Sequence, residues 1–82
     1  MLNNQYQPQQ YRYTVFWSDP DAAYIGTVAE FPSLSAIADT LEAALREIKV
    51  VVEAVLDDMA ENNEVPPTPL SINAYATERR SA

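Results

Sequence analysis

The sequence contains neither cysteine nor histidine. Without cysteine the chain cannot form disulfides or thiolate metal sites, and a reducing compartment is its natural setting. Without histidine it also lacks a usual zinc ligand, the Ser-His-Asp and Cys-His nucleophile arrangements, and the commonest general base near neutral pH. Catalysis would have to depend on carboxylates alone. We therefore expect a binding protein without a cofactor rather than an enzyme.

Basic residues are also scarce, with five Lys and Arg against twelve Asp and Glu, which gives a formal net charge of -7. This sign is wrong for a protein that neutralises nucleic-acid phosphates. A basic protein partner is a better electrostatic match, although the charge also fits a role in solubility alone. No window reaches the length of a membrane span, and residues 1–10 do not resemble a signal peptide. We expect a cytoplasmic protein with no membrane contact.

Glycine occurs only once in 82 residues, whereas 48% of the residues are apolar. A chain of this composition is too rich in core-forming residues to be disordered, and its length allows one domain. Residues 1–10 are uncharged and rich in Asn and Gln, which predicts a flexible N-terminal tail. We predict a folded domain over residues 11–76 and a C-terminal tail over residues 77–82.

Three strands are predicted in the first half of the domain. Residues 11–18 are mostly β-branched or aromatic and end at the turn sequence of residues 18–21. Residues 24–31 form the second strand of the hairpin, which Pro32 ends because proline cannot donate to a ladder. Gly26 inside this strand indicates a bulge or a close approach of another element. Residues 35–38 form a short third strand at best.

A long helix is predicted from Thr40 to about residue 62. Asp39 and Glu42 have the spacing of a capping box, with Asp39 as the N-cap. Apolar residues then recur at spacings of three and four, which is typical of a helix with one buried face. Val50 points away from this stripe, with Ala43 and Ala54 beside it. These three residues are a candidate self-association surface, although single exposed valines are common.

Aromatic residues occupy both faces of the first strand, and one helix can cover only one of those faces. Some aromatic surface is therefore expected either to meet a partner or to pack with only its hydroxyls in water. Together with nearby acids and the end of the second strand, these aromatics give the candidate partner-binding residues Tyr11, Tyr13, Trp17, Asp19, Asp21, Tyr24, Glu30, Phe31 and Pro32.

Three prolines within residues 66–69 prevent continuation of the helix, and residues 70–75 are a candidate last strand. The predicted order is βββαβ. The expected fold class is α+β, with one long helix on one face of a small, mostly antiparallel sheet.

Several linked features between residues 11 and 69 resemble the HicB family of antitoxins. They are the Tyr-rich first strand, the acidic hairpin of residues 18–21, the Phe31-Pro32 step, the Asp39-Thr40 helix entry and the proline-rich exit at residues 65–69. The chain departs from the family pattern at Ser33 and Ala38, where glycine is usual, and the loop conformations there are expected to differ.

The resemblance implies a partial ribonuclease-H-like βββαβ fold and the ability to mask HicA, a small basic toxin that cleaves RNA. Many HicB proteins continue into a DNA-binding domain that has no counterpart after Pro69, so we expect no direct DNA binding. The alternative is an orphan HicB-fold homo-oligomer, a dimer or tetramer, with a regulatory or scaffolding role and no toxin. A nuclease is disfavoured because residues 11–18 and 70–76 contain no carboxylate for a metal site.

Overall fold

The computed structural model describes residues 6–70 as a three-stranded sheet followed by one long helix. In chain order the elements are a short 3-10 helix at Pro8–Gln10, strands β1 at Tyr13–Ser18, β2 at Ala23–Val28 and β3 at Ser35–Ala38, and helix α1 at Leu41–Glu61. The predicted α+β class is confirmed. Apart from Leu70, the predicted last strand lies outside the described residues, and so does the C-terminal tail over residues 77–82. No helix within residues 6–70 is long and apolar enough to cross a membrane.

The sheet is antiparallel throughout, with strand order β1-β2-β3. Val15 lies opposite Gly26, which in turn lies opposite Ala36, so these three positions share one face. Phe16, Ile25 and Ile37 are aligned in the same way one position along, and therefore share the other face. The register thus decides which side chains meet α1.

Helix α1 packs directly on β2, and Gly26 makes this contact possible. A Cβ atom at Gly26 would lie 2.7 Å from the carbonyl oxygen of Ala44 and 3.0 Å from Cγ2 of Ile48. Of the two interpretations of this glycine, the close approach of another element is the one observed. The contact lies at the middle of a core of fully buried apolar residues that includes Val28, Ile48, Val52 and Leu56.

The predicted N-cap is wrong by one residue. Thr40 has extended backbone angles, and its hydroxyl accepts a hydrogen bond from the Ala43 amide at 3.0 Å, so Thr40 is the N-cap and the helix begins at Leu41. Glu42 is then the second helical residue rather than the third. It is one position too early to complete a capping box, in which the third residue reaches back to the cap. Asp39 precedes the cap and is exposed.

The beginnings and ends of the first two strands also differ from the prediction. Residues 8–10 of the predicted N-terminal tail form the 3-10 helix, and the Pro8 carbonyl accepts a hydrogen bond from the Tyr13 hydroxyl at 2.6 Å. Strand β1 begins at Tyr13 rather than Tyr11. Strand β2 ends at Val28 because the Phe31 amide donates to the Val28 carbonyl and closes a turn.

Candidate functional site

The face of the sheet opposite α1 carries a row of apolar side chains. Phe16, Ile25 and Ile37 lie directly opposite one another on the three strands, and such neighbours have Cβ atoms about 4.5–5.5 Å apart. Phe16 is 44% exposed and Ile37 is 57% exposed, while Ile25 between them is half-buried. No element of the described chain covers this row. We refer to Phe16, Ile25 and Ile37 as the open-face row.

Three exposed carboxylates lie at one end of the same sheet. Asp19 and Asp21 belong to the hairpin between β1 and β2, and Asp39 follows β3, which runs parallel to β1 and ends at the same side. The described residues include three basic side chains, and none of them lies in the hairpin or in a strand: Arg12 precedes β1 at the opposite end, and Arg46 and Lys49 lie on α1. This end, which we call the acidic edge (Asp19, Asp21 and Asp39), is therefore negative.

The hairpin brings four of the predicted partner-binding residues together. The Trp17 indole N–H donates to Oδ1 of Asp19 at 2.6 Å, and the Trp17 ring meets the Tyr24 ring edge-on with centroids 5.1 Å apart. The carboxylate of Asp21 accepts from the Ser18 hydroxyl at 2.8 Å. Trp17 is 51% exposed. These bonds hold the Trp17 ring beside the acidic edge, on the same face of the sheet as Gly26 and therefore opposite the open-face row.

The other predicted aromatics lie at the far end of the sheet and serve the core. Tyr11 is 5% exposed, its hydroxyl donates to the Pro67 carbonyl at 2.8 Å, and its ring packs edge-on against Phe31. Tyr13 is half-buried, with the Lys49 amine 6.0 Å from its ring centroid. Phe31 packs against the core, while Pro32 is exposed. Tyr11 in particular has almost no surface left for a partner.

Burial raises the pKa of both Tyr11 and Tyr13 to about 12. For each tyrosine, loss of hydration is the main cause, and the negative charge of Glu30 adds to it. Both hydroxyls also act as donors to backbone carbonyls, which requires that they keep their protons. These groups are held neutral as structural donors.

Glu30, another predicted partner-binding residue, joins segments of its own chain. Its carboxylate accepts from the Arg12 amide at 3.1 and 3.2 Å and from the Leu70 amide at 2.8 Å. It therefore ties the start of the sheet to the segment that follows α1.

Within residues 6–70, no three acidic side chains come together in a way that would hold a metal ion.

The candidate self-association residues lie on the outer side of α1. Val50 is 54% exposed, Ala54 is exposed and Ala43 is half-buried. Val50 also lines an open cleft of about 450 Å³ between α1 and the 3-10 helix, together with Pro8, Arg46 and Glu53. The outer side of α1 and the open-face row thus lie on opposite sides of the molecule, because the sheet lies between them.

The open-face row was missed at the sequence level. Phe16 alternates with the polar residues Thr14 and Ser18, and Ile37 follows the polar Ser35 on its face, so each strand shows only one large apolar side chain on this face. The signal lies in the register, which aligns the three side chains, and not in any one strand.

No protein-family model, curated protein or solved structure matches the chain. The case for a function therefore depends on the surface described above and on the residues that form it.

Proposed function

We propose that this chain is a non-catalytic, antitoxin-like protein that neutralises a small basic RNA-cleaving toxin of the HicA type by covering the toxin's surface. The observation that carries the proposal is the open-face row, which three strands present in register beside the acidic edge. A contiguous exposed apolar patch with a polar rim is typical of a protein-interaction site. The cytoplasm is the expected location, since the RNA targets of such a toxin are found there.

The composition of this surface favours a basic protein over other partners. Apolar and aromatic side chains supply the buried centre of an interface, and here the open-face row can do so. Charges at the rim contribute mainly to association rate and to partner choice, and the rim here is negative. An RNA-binding surface is positive because it must neutralise phosphates. An acidic rim is therefore complementary to the surface that a toxin uses to bind RNA.

The proposal is tested by mixing the purified protein with a purified HicA-type toxin and measuring RNA cleavage. We expect the unaltered protein to stop cleavage at an equimolar ratio. Phe16→Asp and Ile37→Asp introduce a charge at the centre of the contact, where it would be desolvated, and each should weaken toxin binding at least about tenfold.

Val65→Asp is the matched control, because Val65 is 81% exposed and lies outside the sheet. It should inhibit the toxin as well as the unaltered protein does. Circular dichroism of each variant separates loss of binding from loss of fold. An unaltered protein that neither binds the toxin nor reduces cleavage at excess would refute the proposed function.

A further inference from the structure

An aromatic pair is exposed at the hairpin end of the sheet, on the side that α1 covers elsewhere. Trp17 and Tyr24 are direct partners in the register of β1 and β2, and they share the face of Gly26, on which α1 packs. Trp17 is nevertheless 51% exposed, and Tyr24 is half-buried. Helix α1 therefore does not cover the indole ring as it covers the middle of the sheet.

A carboxylate is fixed to the edge of this aromatic pair. The two rings meet at 67° with their centroids 5.1 Å apart. The indole N–H of Trp17 donates to Oδ1 of Asp19 at 2.6 Å, and Asp19 is exposed. We refer to Trp17, Tyr24 and Asp19 as the hairpin corner. Its two rings and its carboxylate are held in fixed positions relative to one another before any ligand arrives.

The chemistry of the hairpin corner favours a cation. The face of an aromatic ring attracts a positive charge within about 6 Å of the ring centroid, and indole does so most strongly. The carboxylate of Asp19 attracts the same cation. It can also accept further hydrogen bonds, since a carboxylate has about four lone-pair sites and the indole N–H uses one of them. A neutral ligand gains neither attraction, and an anion is repelled.

The basic side chains in the described part of the chain lie elsewhere. Arg46 and Lys49 line the cleft between α1 and the 3-10 helix, and Trp17 is not part of its walls. Arg12 precedes β1 at the opposite end of the sheet. The second charged residue of the hairpin is Asp21, which has the same sign as Asp19 and adds to the attraction for a cation. A cation for the corner has to come from outside residues 6–70.

We propose that the hairpin corner binds the guanidinium group of an arginine from a basic protein partner. A guanidinium group is planar and weakly hydrated, so it can stack on the Trp17 ring and donate an N–H to the Asp19 carboxylate at the edge of that ring. A lysine ammonium is compact and strongly hydrated, and gains less from stacking. The net charge of -7 favours a basic partner over an acidic one. The site does not depend on the proposed function, because it lies on the face opposite the open-face row.

Titration with single-residue probes tests the site without any partner protein. Trp17 is the only tryptophan of the chain, so its indole N–H signal in NMR spectra reports on this corner alone. N-acetyl-arginine amide should shift this signal until the site is saturated. N-acetyl-citrulline amide, in which a neutral urea group of the same shape replaces the guanidinium, should bind at least about threefold more weakly. N-acetyl-lysine amide should also bind more weakly than the arginine probe.

The absence of a saturable shift would overturn the site, and so would equal binding of the arginine and citrulline probes. Equal binding of the lysine and arginine probes would overturn the choice of a guanidinium.

A pair of charge-neutralising variants locates the binding. Asp19→Asn keeps an oxygen that can accept the indole N–H and removes the charge, so affinity for the arginine probe should fall about threefold or more. Asp58→Asn is the matched control, because Asp58 is exposed near the end of α1 and its substitution changes the net charge equally. It should bind as the unaltered protein does. An unchanged affinity in Asp19→Asn, or an equal loss in both variants, would contradict the proposal. Circular dichroism checks the fold of each.

Arginines of the chain itself are a second source of guanidinium, since residues 79 and 80 are arginines outside the described residues. The variant Arg79→Gln/Arg80→Gln should leave the indole signal of the free protein unchanged and should bind the arginine probe with unchanged affinity. A shifted signal together with tighter probe binding would show that the chain's own arginines occupy the corner, and would overturn the assignment to a partner. Phe16→Asp alters the opposite face and should bind the probe normally, so failure of the proposed function can be told from failure of this site.

Discussion

At the scale of single residues, Glu30 shows how a carboxylate can be used inside a small acidic protein. Its two oxygens accept amide protons from Arg12 and Leu70, which are far apart in the sequence. Hydrogen bonds from a backbone amide to an ionised carboxylate are stronger than those between neutral groups. The charge of Glu30 also raises the pKa of Tyr11 and Tyr13, and both keep their protons as hydrogen-bond donors. The residue is structural, which the sequence did not indicate.

The raised tyrosine pKa values predict that stability falls in alkaline solution. Unfolded tyrosines ionise near pH 10, whereas Tyr11 and Tyr13 in the folded protein keep their protons until about pH 12. Between these values the unfolded state binds fewer protons, so the free energy of unfolding decreases as the pH rises. Each tyrosine contributes up to about 1.4 kcal/mol per pH unit. Urea unfolding followed by circular dichroism across this range measures the slope.

Tyr13→Phe is the matched variant for this measurement, because it has no phenol to ionise and keeps the aromatic ring. It loses the hydrogen bond to the Pro8 carbonyl, which lowers its stability at every pH below the titration. Its decline between pH 10 and pH 12 should nevertheless be about half as steep as that of the unaltered protein. Two results would contradict the view that ionisation of Tyr11 and Tyr13 causes the alkaline loss of stability. One is an unaltered protein with constant stability between pH 10 and pH 12, and the other is a variant whose slope is unchanged.

At the scale of elements, substitutions at the start of α1 distinguish Thr40 from Asp39 as the N-cap of the helix. Thr40→Ala removes the oxygen that accepts from the Ala43 amide and should lower the free energy of unfolding by about 1 kcal/mol. Asp39→Ala removes no capping bond and should cost less, since only the weak attraction of its charge to the helix N-terminus is lost. Urea unfolding monitored by circular dichroism compares the two. A larger loss for Asp39→Ala than for Thr40→Ala would show that Asp39 is the cap.

The elements themselves were largely predictable, because period-two and period-3.6 patterns report local structure. The helix was expected over residues 40–62 and spans Leu41–Glu61, and the third strand was found at Ser35–Ala38 as predicted. The strand boundaries that differed are set by hydrogen bonds outside the strand ladder. Strand β1 starts late because Glu30 takes the Arg12 amide, and β2 stops early at the turn that Phe31 closes. The Arg12–Glu30 contact joins residues 18 apart, which a local pattern does not report. The Val28–Phe31 turn is local, but it lacks the Gly, Pro, Asn and Asp residues that usually mark a turn.

At Gly26 the local sequence pattern is ambiguous, and a contact with a distant residue resolves it. A single glycine within a strand indicates either a bulge or a close approach, and the pattern could not decide between them. The structure shows Ala44 and Ile48 of α1 against it. That contact identifies the covered face of β2 and, through the register, the covered faces of β1 and β3 as well. One residue thus decides which side of the sheet stays open.

At the scale of the whole molecule, the sheet separates two surfaces of different composition. One surface carries the open-face row and lies beside the acidic edge, and the other is the outer side of α1 with Val50. The predicted partner-binding set combined residues of the hairpin with residues of the core, such as Trp17 and Tyr11. Sequence reasoning correctly expected aromatic surface on both faces of the first strand. It could not decide which face α1 covers, because that depends on the packing of α1 against β2.

The measurement that tests the central claim most directly is a map of chemical-shift changes in the isotope-labelled protein as unlabelled toxin is added. We expect the largest changes at Phe16, Ile25 and Ile37 and at the hairpin amides of Asp19 and Asp21, with the Val50 methyl groups almost unchanged. Changes centred on Val50 and the outer side of α1, with the open-face row unaffected, would contradict the claim that the open sheet face binds the toxin.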